Sequence, residues 1–477
     1  MSTPAVNVAG LPARRVDAAG SPHVNLRAIL ALAAPLMATN AVQALLNLTD
    51  LWFIGRLSTD AVAALGSIYW IVSCAILLFG GVGLAVQTFV AQAYGSRRKA
   101  HAARALWSAL WASLALVPVF LALAFAGSFL LHPFGLDAHI EALALEYWQP
   151  RMAGAFIGSM GWAAMGFFNG ISAVRYTMLV VVVTTVANAI FNQLFIFEFA
   201  MGMKGSAWGT NVAQVVGVTL ALWFFLRGDL AREYRTRLMW RPRWSVIRAQ
   251  LMVGLPIGVM YGADVLGLAF SQMMIAQTGA VGAAATQIVM ALTSMAYMPT
   301  IGIALAGTTL VGQSIGAGDR DWANRMGNVV ILLCAGLMAC VAVLLLVVGP
   351  WVLPWFVGAG DANADDVVAL GLVLLWPAAA YQVFDGLYCG SGFCLRGAGD
   401  TRVPAATALM LSWFFFVPLA HTLIFAPGAG WIDGLPQYGL GARGGWIALM
   451  SYCTLLGLSM FWRWRHGAWR RFQLSAA

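Results

Sequence analysis

Residues 88–95 read TFVAQAYG, and residues 309–316 read TLVGQSIG. The two octapeptides share four identical residues, the other four exchanges are conservative, and they lie 221 residues apart. The same offset relates Pro35 to Pro256. Matches at one constant offset indicate an internal duplication. The sequence therefore predicts two related halves.

The composition indicates where these halves reside. Of 477 residues, 61% are hydrophobic and only 9% are charged, against about 45–50% and about 25% in soluble proteins. The mean hydropathy is +0.81. So few charges cannot cover a water-soluble surface of this size. We therefore predict an all-α polytopic membrane protein.

Apolar runs of about 20 residues, the length that crosses a bilayer, can be placed twelve times along the chain. The predicted spans are 28–54, 60–88, 102–131, 141–168, 173–200, 206–226, 246–276, 282–311, 325–356, 367–392, 403–425 and 442–462. Six spans in each half is an even number, so the two copies share one orientation in the membrane. Parallel repeats of this kind occur in alternating-access transporters.

The basic residues support this count and set the orientation. With the N-terminus inside, 23 of the 27 Lys and Arg residues fall on the cytoplasmic side and four on the other. Both termini are predicted to be cytoplasmic, in the inner membrane of a bacterium. The predicted organisation is a flexible tail (1–25), an N-terminal six-helix lobe (26–226), a basic cytoplasmic linker (227–245), a C-terminal six-helix lobe (246–465) and a C-terminal tail (466–477).

The sequence gives no support for several other functional classes. The net charge of +9 follows from membrane topology, and no basic segment is interleaved with base-stacking aromatics as in a nucleic-acid-binding domain. No GxxxxGK[ST] loop is present, so ATP is not expected to drive the protein. No His lies with a Ser or Cys nucleophile, and the six cysteines sit singly in apolar runs. We expect no enzyme activity, no cofactor and no disulfide.

Three carboxylates fall inside predicted spans: Asp50 in the first, Asp264 in the seventh and Asp385 in the tenth. An ionisable group at the bilayer centre costs at least about 2.5–3.5 kcal/mol and usually has a function. The spans offer no Lys or Arg to pair with them. These carboxylates are therefore expected to bind a mobile cation, to take up protons, or both; helix capping for Asp50, and interhelical hydrogen bonding by protonated Asp264 and Asp385, are the structural alternatives.

Polar neighbours share helix faces with these acids: Gln43 and Asn47 before Asp50, Tyr381 one turn before Asp385, and Gln272 two turns after Asp264. Asn188 and Asn192 form an i, i+4 pair in the fifth span, and we expect them to form with Asp50 a polar cluster that titrates or contacts substrate. Single amides often only join helices, whereas the Asn pair and the Tyr–Asp pair each place two ligands together. Pro35 and Pro256, near the starts of the first and seventh spans, are either static kinks or hinges.

These motifs resemble those of the multidrug and toxic compound extrusion (MATE) transporters, over residues 26–465. The resemblance rests on NLTDLWFIGRL (47–57), the VAQAYG/VGQSIG pair, GLPI (254–257) and CLRGAGDTR (394–402). It implies twelve helices in two six-helix lobes around a V-shaped cleft. It also implies export of cationic or amphipathic compounds in exchange for Na⁺ or H⁺.

The chain is most similar to the NorM-like branch of that family. By this resemblance Asp264 replaces the seventh-span carboxylate, usually Glu, of that branch. Tyr381, Gln382 and Asp385 match its tenth-span cation site, so that Asp264, Asp385 and Tyr381 would hold Na⁺ if Na⁺ is the coupling ion. Asp50 matches a first-span acid, and Asn188 with Asn192 matches an Asn-x-x-x-Asn motif of the branch.

The function predicted from the sequence is therefore an antiporter for organic cations or amphipathic drugs that works by alternating access, as a monomer in contact with lipid. A flippase or an exporter of a lipid-linked or metabolite cargo is the main alternative. A flippase of a lipid-linked sugar would need basic residues in its cavity to hold pyrophosphate. An intramembrane enzyme and a passive channel are further alternatives. The sequence leaves Na⁺ and H⁺ coupling equally open.

Overall fold

The computed structural model describes residues 12–16, 22–132, 137–357, 363–472 and 474, and, in this part of the chain, is almost entirely helical. Its helices are α1 (Leu26–Gly55), α2 (Thr59–Gly95), α3 (Lys99–Ala115), α4 (Val117–Phe125), α5 (Gly127–Leu131), α6 (Ala138–Ala153), α7 (Ala155–Gly170), α8 (Val174–Asn192), α9 (Gly202–Leu226), α10 (Gly228–Glu233), α11 (Trp244–Gln277), α12 (Ala280–Gly316), α13 (Arg320–Val352), α14 (Ala364–Ala398), α15 (Arg402–Met410), α16 (Val417–Ile424) and α17 (Gly441–His466).

The structure confirms an all-α polytopic membrane protein. In the described residues, eleven helical stretches are long and apolar enough to cross a bilayer, and each coincides with a predicted span. The remaining predicted span, 141–168, is formed by α6 and α7, which are separated at Gly154. A Cβ on Gly154 would lie 2.2 Å from Nδ2 of Asn211, so the α9 side chain occupies the break.

The described part of the N-terminal segment forms two short antiparallel strands, β1 (Arg14–Val16) and β2 (Pro22–Val24). They lie against α13, where Trp322 Nε1 donates to Pro12 O at 3.0 Å and Arg325 Nη1 to Pro22 O at 3.3 Å. Residues 1–11 and 17–21 of the predicted N-terminal tail, and 473 and 475–477 of the C-terminal tail, lie outside the described residues.

Small residues bring the N-terminal half (26–226) and the C-terminal half (246–465) together. The contacts are reciprocal, because α2 crosses α11 and α12 crosses α1. A Cβ on Gly81 would lie 2.3 Å from Gly254 O, and one on Gly302, its equivalent at the offset of 221, would lie 2.6 Å from Met37 N. Glycine at these positions allows the backbones of membrane helices to approach closely.

Each half also contains a π-helical segment in its fifth span. Residues Gln193–Glu198 continue α8, and Leu411–Phe416 join α15 to α16. A π-turn inserts an extra residue, which rotates the side chains on either side of it, and such segments often occur at functional sites. The first begins directly after Asn192, and the second contains Ser412, whose Oγ donates to Ala263 O at 3.0 Å, beside Asp264.

Candidate functional site

In the N-terminal half, Asp50 of α1 meets polar side chains of α8 and α9. Its Oδ1 accepts a hydrogen bond from Asn192 Nδ2 at 2.6 Å, and its Oδ2 lies 3.3 Å from Thr210 Oγ1. Asn188 and Asn192 are fully buried and lie one turn apart, so both amides point into the same helix interface. Asn192 Nδ2 also lies 3.4 Å from Asn188 Oδ1. The structure thus brings together the three residues that the sequence grouped.

Thr210 is a member of this cluster that the sequence reasoning missed. Its hydroxyl accepts from Asn188 Nδ2 at 3.3 Å and lies 3.1 Å from Ser206 O on its own helix. A hydroxyl has one proton, so Thr210 can donate either to Asp50 or to Ser206 O, but not to both. The amide of Asn192 is therefore the protein hydrogen-bond donor to Asp50 that no other acceptor can replace by redirecting a hydroxyl proton.

Arg151 corrects the expectation that no basic side chain is available to these acids. It lies in α6 and is close enough for its charge to act on Asp50. Its Nη1 donates to Asn211 Oδ1 at 3.1 Å, and Asn211 Nδ2 donates in turn to Pro150 O at 2.6 Å. Charge sorting counts Arg151 among the four basic residues on the outer side, but it lies within the predicted span 141–168 and, in α6, near the polar cluster.

In the C-terminal half, Asp264 of α11 accepts hydrogen bonds from two phenols. Tyr388 Oη of α14 donates to Oδ2 at 3.0 Å, and Tyr452 Oη of α17 donates to Oδ1. The ring of Tyr452 stacks on Phe416, with ring centres 5.0 Å apart, so this phenol is held in place by the π-helical segment. Three helices therefore converge on one carboxylate.

Asp385 lies three residues before Tyr388 on α14 and is close enough for its charge to interact with that of Asp264. Among the described residues, no donor is within hydrogen-bonding distance of the Asp385 carboxylate. Gln382, one turn earlier, is buried, and neither its Oε1 nor its Nε2 has a protein partner. Buried polar atoms are normally satisfied, so this face of α14 has unused hydrogen-bonding and ligand capacity.

Tyr381 is placed beside Asp385 and not against Asp264. Its hydroxyl lies near Thr293 of α12, and its ring centre lies 6.0 Å from that of Trp446. The phenols on Asp264 are instead Tyr388 and Tyr452. Tyr388 shares the helix face of Asp385 at a spacing of three residues, which is a signal that the sequence reasoning could have used. Nothing in the sequence links Tyr452 to Asp264.

The other predicted polar residues lie outside the two clusters. Gln43 and Asn47 are exposed on α1, and Gln272 Oε1 accepts from Gln287 Nε2 of α12 at 3.4 Å. Pro35 and Pro256 lie inside α1 and α11, both of which remain helical across the proline.

The duplicated octapeptides form a reciprocal set of hydrogen bonds between the halves. From the first, Thr88 Oγ1 donates to Arg396 O at 2.9 Å and Gln92 Nε2 to Gly397 O at 3.1 Å. From the second, the equivalent side chains donate to the N-terminal half: Thr309 Oγ1 to Asn169 O at 3.1 Å and Gln313 Nε2 to Gly170 O at 2.9 Å. All four acceptors are carbonyls at the ends of α7 and α14.

We call this region, where the ends of α2, α7, α12 and α14 meet, the sealed end. Leu474 of the C-terminal tail extends it, because its N–H donates to Gln92 Oε1 at 2.9 Å and its side chain packs at Gly399 of the other half. The sequence assigned Arg396 to a cytoplasmic loop, but it is buried here. Its guanidinium donates to Leu84 O and lies near the Tyr261 hydroxyl. Charge sorting alone could not distinguish a buried helix end from a loop.

The fold and the buried acids define a duplicated polytopic membrane protein of the transporter type. The family model described as MatE matches residues 35–194 and 256–422, two segments whose starts are 221 residues apart. The chain therefore belongs to the MATE family of transporters, as the resemblance indicated.

Relatives and solved structures agree with this assignment. The chain is 30% identical to the probable multidrug resistance protein NorM of Pseudomonas aeruginosa, over 93% of this chain and 90% of that protein. It is 27% identical to the probable multidrug resistance protein NorM of Agrobacterium fabrum, over 86% and 90%. Its fold matches a MATE family multidrug resistance transporter in an outward-facing conformation, with a TM-score of 0.79, 21% identity, and coverage of 92% of this chain and 94% of the other.

Proposed function

We propose that the protein is a secondary antiporter that exports cationic or amphipathic organic compounds in exchange for Na⁺ or H⁺. The relatives named NorM support the drug-export part of this proposal. The observation that carries the coupling part is the Asp264–Asp385 pair. Among the described residues, the protein donors to these two interacting carboxylates are only neutral phenols, so a cation or protons must balance their charge.

The oxygen donors at this position suit either coupling ion. Na⁺ would be held by the carboxylates of Asp264 and Asp385 and by the unpartnered Oε1 of Gln382, with Tyr381 beside them. These are hard oxygen ligands of the type that such cations prefer. Protons would instead occupy the two carboxylates directly. In both cases an organic cation competes for the same negative charge, which is the basis of exchange.

Exchange also requires two conformations that differ in their affinity for the ion. The sealed end closes one side of the molecule, the side that carries the N-terminal strands, the linker and the C-terminal tail. We assign this side to the cytoplasm of a bacterial inner membrane, which is where the sorting of Lys and Arg places it. To admit substrate from the cytoplasm, the reciprocal bonds of Gln92 and Gln313 have to break.

A flippase for a lipid-linked cargo is the less well supported function. Its cavity would need basic side chains free to bind phosphate. Arg151 and Arg396, which lie within the helical bundle, are committed to protein groups: Arg151 donates to Asn211 Oδ1 and Arg396 to Leu84 O.

The test is transport into proteoliposomes that contain the purified protein, with a Na⁺ gradient and a pH gradient imposed separately. We expect one of the gradients to drive accumulation of a fluorescent organic cation, and dissipation of that gradient to stop it. Accumulation with neither gradient, or equilibration without accumulation as in a channel, would contradict the proposal. A parallel assay of lipid scrambling with a fluorescent phospholipid tests the flippase.

A further inference from the structure

The part of the predicted linker that precedes α11, residues 227–243 (the linker segment), joins α9 to α11 and contains none of the residues of the two acid clusters. Between residues 235 and 243 it carries four arginines and no acid. All four are exposed: Arg235, Arg237, Arg241 and Arg243. Because α9 ends and α11 begins at this segment, it lies at the level of one membrane surface.

Large apolar side chains alternate with these arginines. Leu238 is 70% exposed, Trp240 48% and Trp244, the first residue of α11, 71%. In water each would leave apolar surface unburied, at a cost of roughly 25 cal/mol per Å². Tryptophan and arginine together are typical of protein surfaces that sit among lipid headgroups, with the ring at the apolar boundary and the guanidinium at the phosphates.

The segment is held in a fixed shape against α3. Trp107 Nε1 donates to Thr236 O at 2.8 Å, and Trp111 Nε1 donates to Trp240 O at 2.7 Å. Tyr234 is buried, and its ring packs edge-on against Phe167 of α7, with ring centres 5.6 Å apart. The arginines and the exposed rings are therefore presented together and do not belong to a freely moving loop.

We propose that the linker segment is a binding surface for the headgroups of anionic phospholipids. Arg235, Arg241 and Arg243 contact the phosphates, while Leu238 and Trp240 enter the interfacial region of the same leaflet. A free phosphate ion would satisfy the arginines but leave the apolar side chains exposed, so the combination selects a lipid. The surface anchors the connection between the two halves to the membrane.

The test compares nanodiscs of phosphatidylcholine with nanodiscs that also contain phosphatidylglycerol. A polarity-sensitive dye is attached to Leu238→Cys in a Cys340→Ser background, because Cys340 is the one exposed cysteine among the described residues. We expect a blue shift that grows with the phosphatidylglycerol fraction and is reversed by salt. In the Arg235→Gln/Arg241→Gln/Arg243→Gln variant, the preference for the anionic lipid should fall by roughly fivefold for each arginine removed.

The matched control removes three exposed arginines on the same side of the membrane, as Arg320→Gln/Arg465→Gln/Arg471→Gln. It should retain the lipid-dependent shift. An equal shift in both kinds of nanodisc, an equal loss in the control variant, or reversal of the shift by millimolar inorganic phosphate would overturn the proposal. Transport activity is not part of this readout, so the result is independent of the proposed antiport.

Discussion

The two halves of the molecule surround a carboxylate inside the membrane with different groups. In the N-terminal half, Asp50 accepts a short bond from the Asn192 amide, and the charge of Arg151 acts on it. In the C-terminal half, Asp264 has two phenols, and its nearest charged neighbour is another carboxylate, Asp385. Asp50 thus lies within the electrostatic range of a basic side chain, whereas among the described residues none acts on Asp264 or Asp385.

The same halves are alike where they meet. Thr88 and Gln92 repeat as Thr309 and Gln313, and each pair donates to carbonyls of the opposite half. A duplicated gene would give both halves equal sites and equal contacts. The contacts have remained reciprocal, whereas the acid sites have diverged. We therefore expect mutations at the sealed end to act symmetrically and mutations at the acids to act asymmetrically.

The largest effect is expected from Asp264→Asn and from Asp385→Asn. Each change removes a charge that no protein group balances, and coupling energies of about 1–3 kcal/mol correspond to 5–150-fold. Ion-driven accumulation of a fluorescent cation in proteoliposomes should fall by roughly that factor. Asp366→Asn, an exposed acid at the start of α14, serves as the control and should transport like wild type. Wild-type coupling in both site variants would show that the acids of the C-terminal half do not take part in coupling.

A smaller effect is expected from Tyr388→Phe and Tyr452→Phe. Each removes one hydrogen bond to Asp264, and bonds to charged groups contribute about 1.5–3 kcal/mol. The apparent affinity for the coupling ion should change by roughly tenfold or more, measured from the ion dependence of transport. Tyr381→Phe is the informative comparison, because the Tyr381 hydroxyl is not one of the two that donate to Asp264. A larger effect of Tyr381→Phe than of the other two would favour the ligand set predicted from the sequence.

Gln92→Ala and Gln313→Ala test the symmetry of the sealed end. Each leaves a carbonyl of the opposite half without its partner, at a cost of about 1–3 kcal/mol. Hydrogen–deuterium exchange should become faster at the ends of α2, α12 and α14, to the same extent in both variants. Gln287→Ala, which removes an exposed glutamine of α12, should leave exchange at the sealed end unchanged. Faster exchange in only one of the two glutamine variants would mean that the reciprocal bonds are not equivalent.

The smallest effect is expected from Asp50→Asn. The variant replaces the charged acceptor of the Asn192 amide with a neutral one and should lower the free energy of unfolding by about 1 kcal/mol. Thermal unfolding in detergent measures this change. The variant should keep ion-coupled transport. If Asp50→Asn uncouples transport as strongly as Asp264→Asn, the two acids are functionally alike.

Much of the architecture followed from sequence because it depends on local pattern. Apolar runs and the offset of 221 residues placed the spans and the duplication, and the structure departs from them chiefly at Gly154, where α6 and α7 separate. The grouping of Asn188 with Asn192 could also be predicted, because a spacing of four residues fixes a shared helix face.

What the sequence did not reveal depends on contacts between helices. Thr210, Tyr452 and Arg151 are distant in sequence from the acids that they approach, and no spacing rule connects them. Arg396 was misplaced because its position at a span end fits both a loop and a buried helix terminus. The roles assigned to Asp50, Asp264, Asp385 and Tyr381 in coupling remain predictions that transport measurements have to test.

The sequence by itself determined that this chain spans a membrane many times, that its halves arose by duplication, and that carboxylates lie within its spans. These properties follow from composition and local periodicity, which do not depend on contacts between helices. Only the tertiary structure decided which groups each carboxylate meets and which carbonyls the duplicated Thr and Gln residues reach. Those pairings depend on the rotation and crossing of helices, where a single π-turn or a glycine contact redirects a side chain from one neighbour to another.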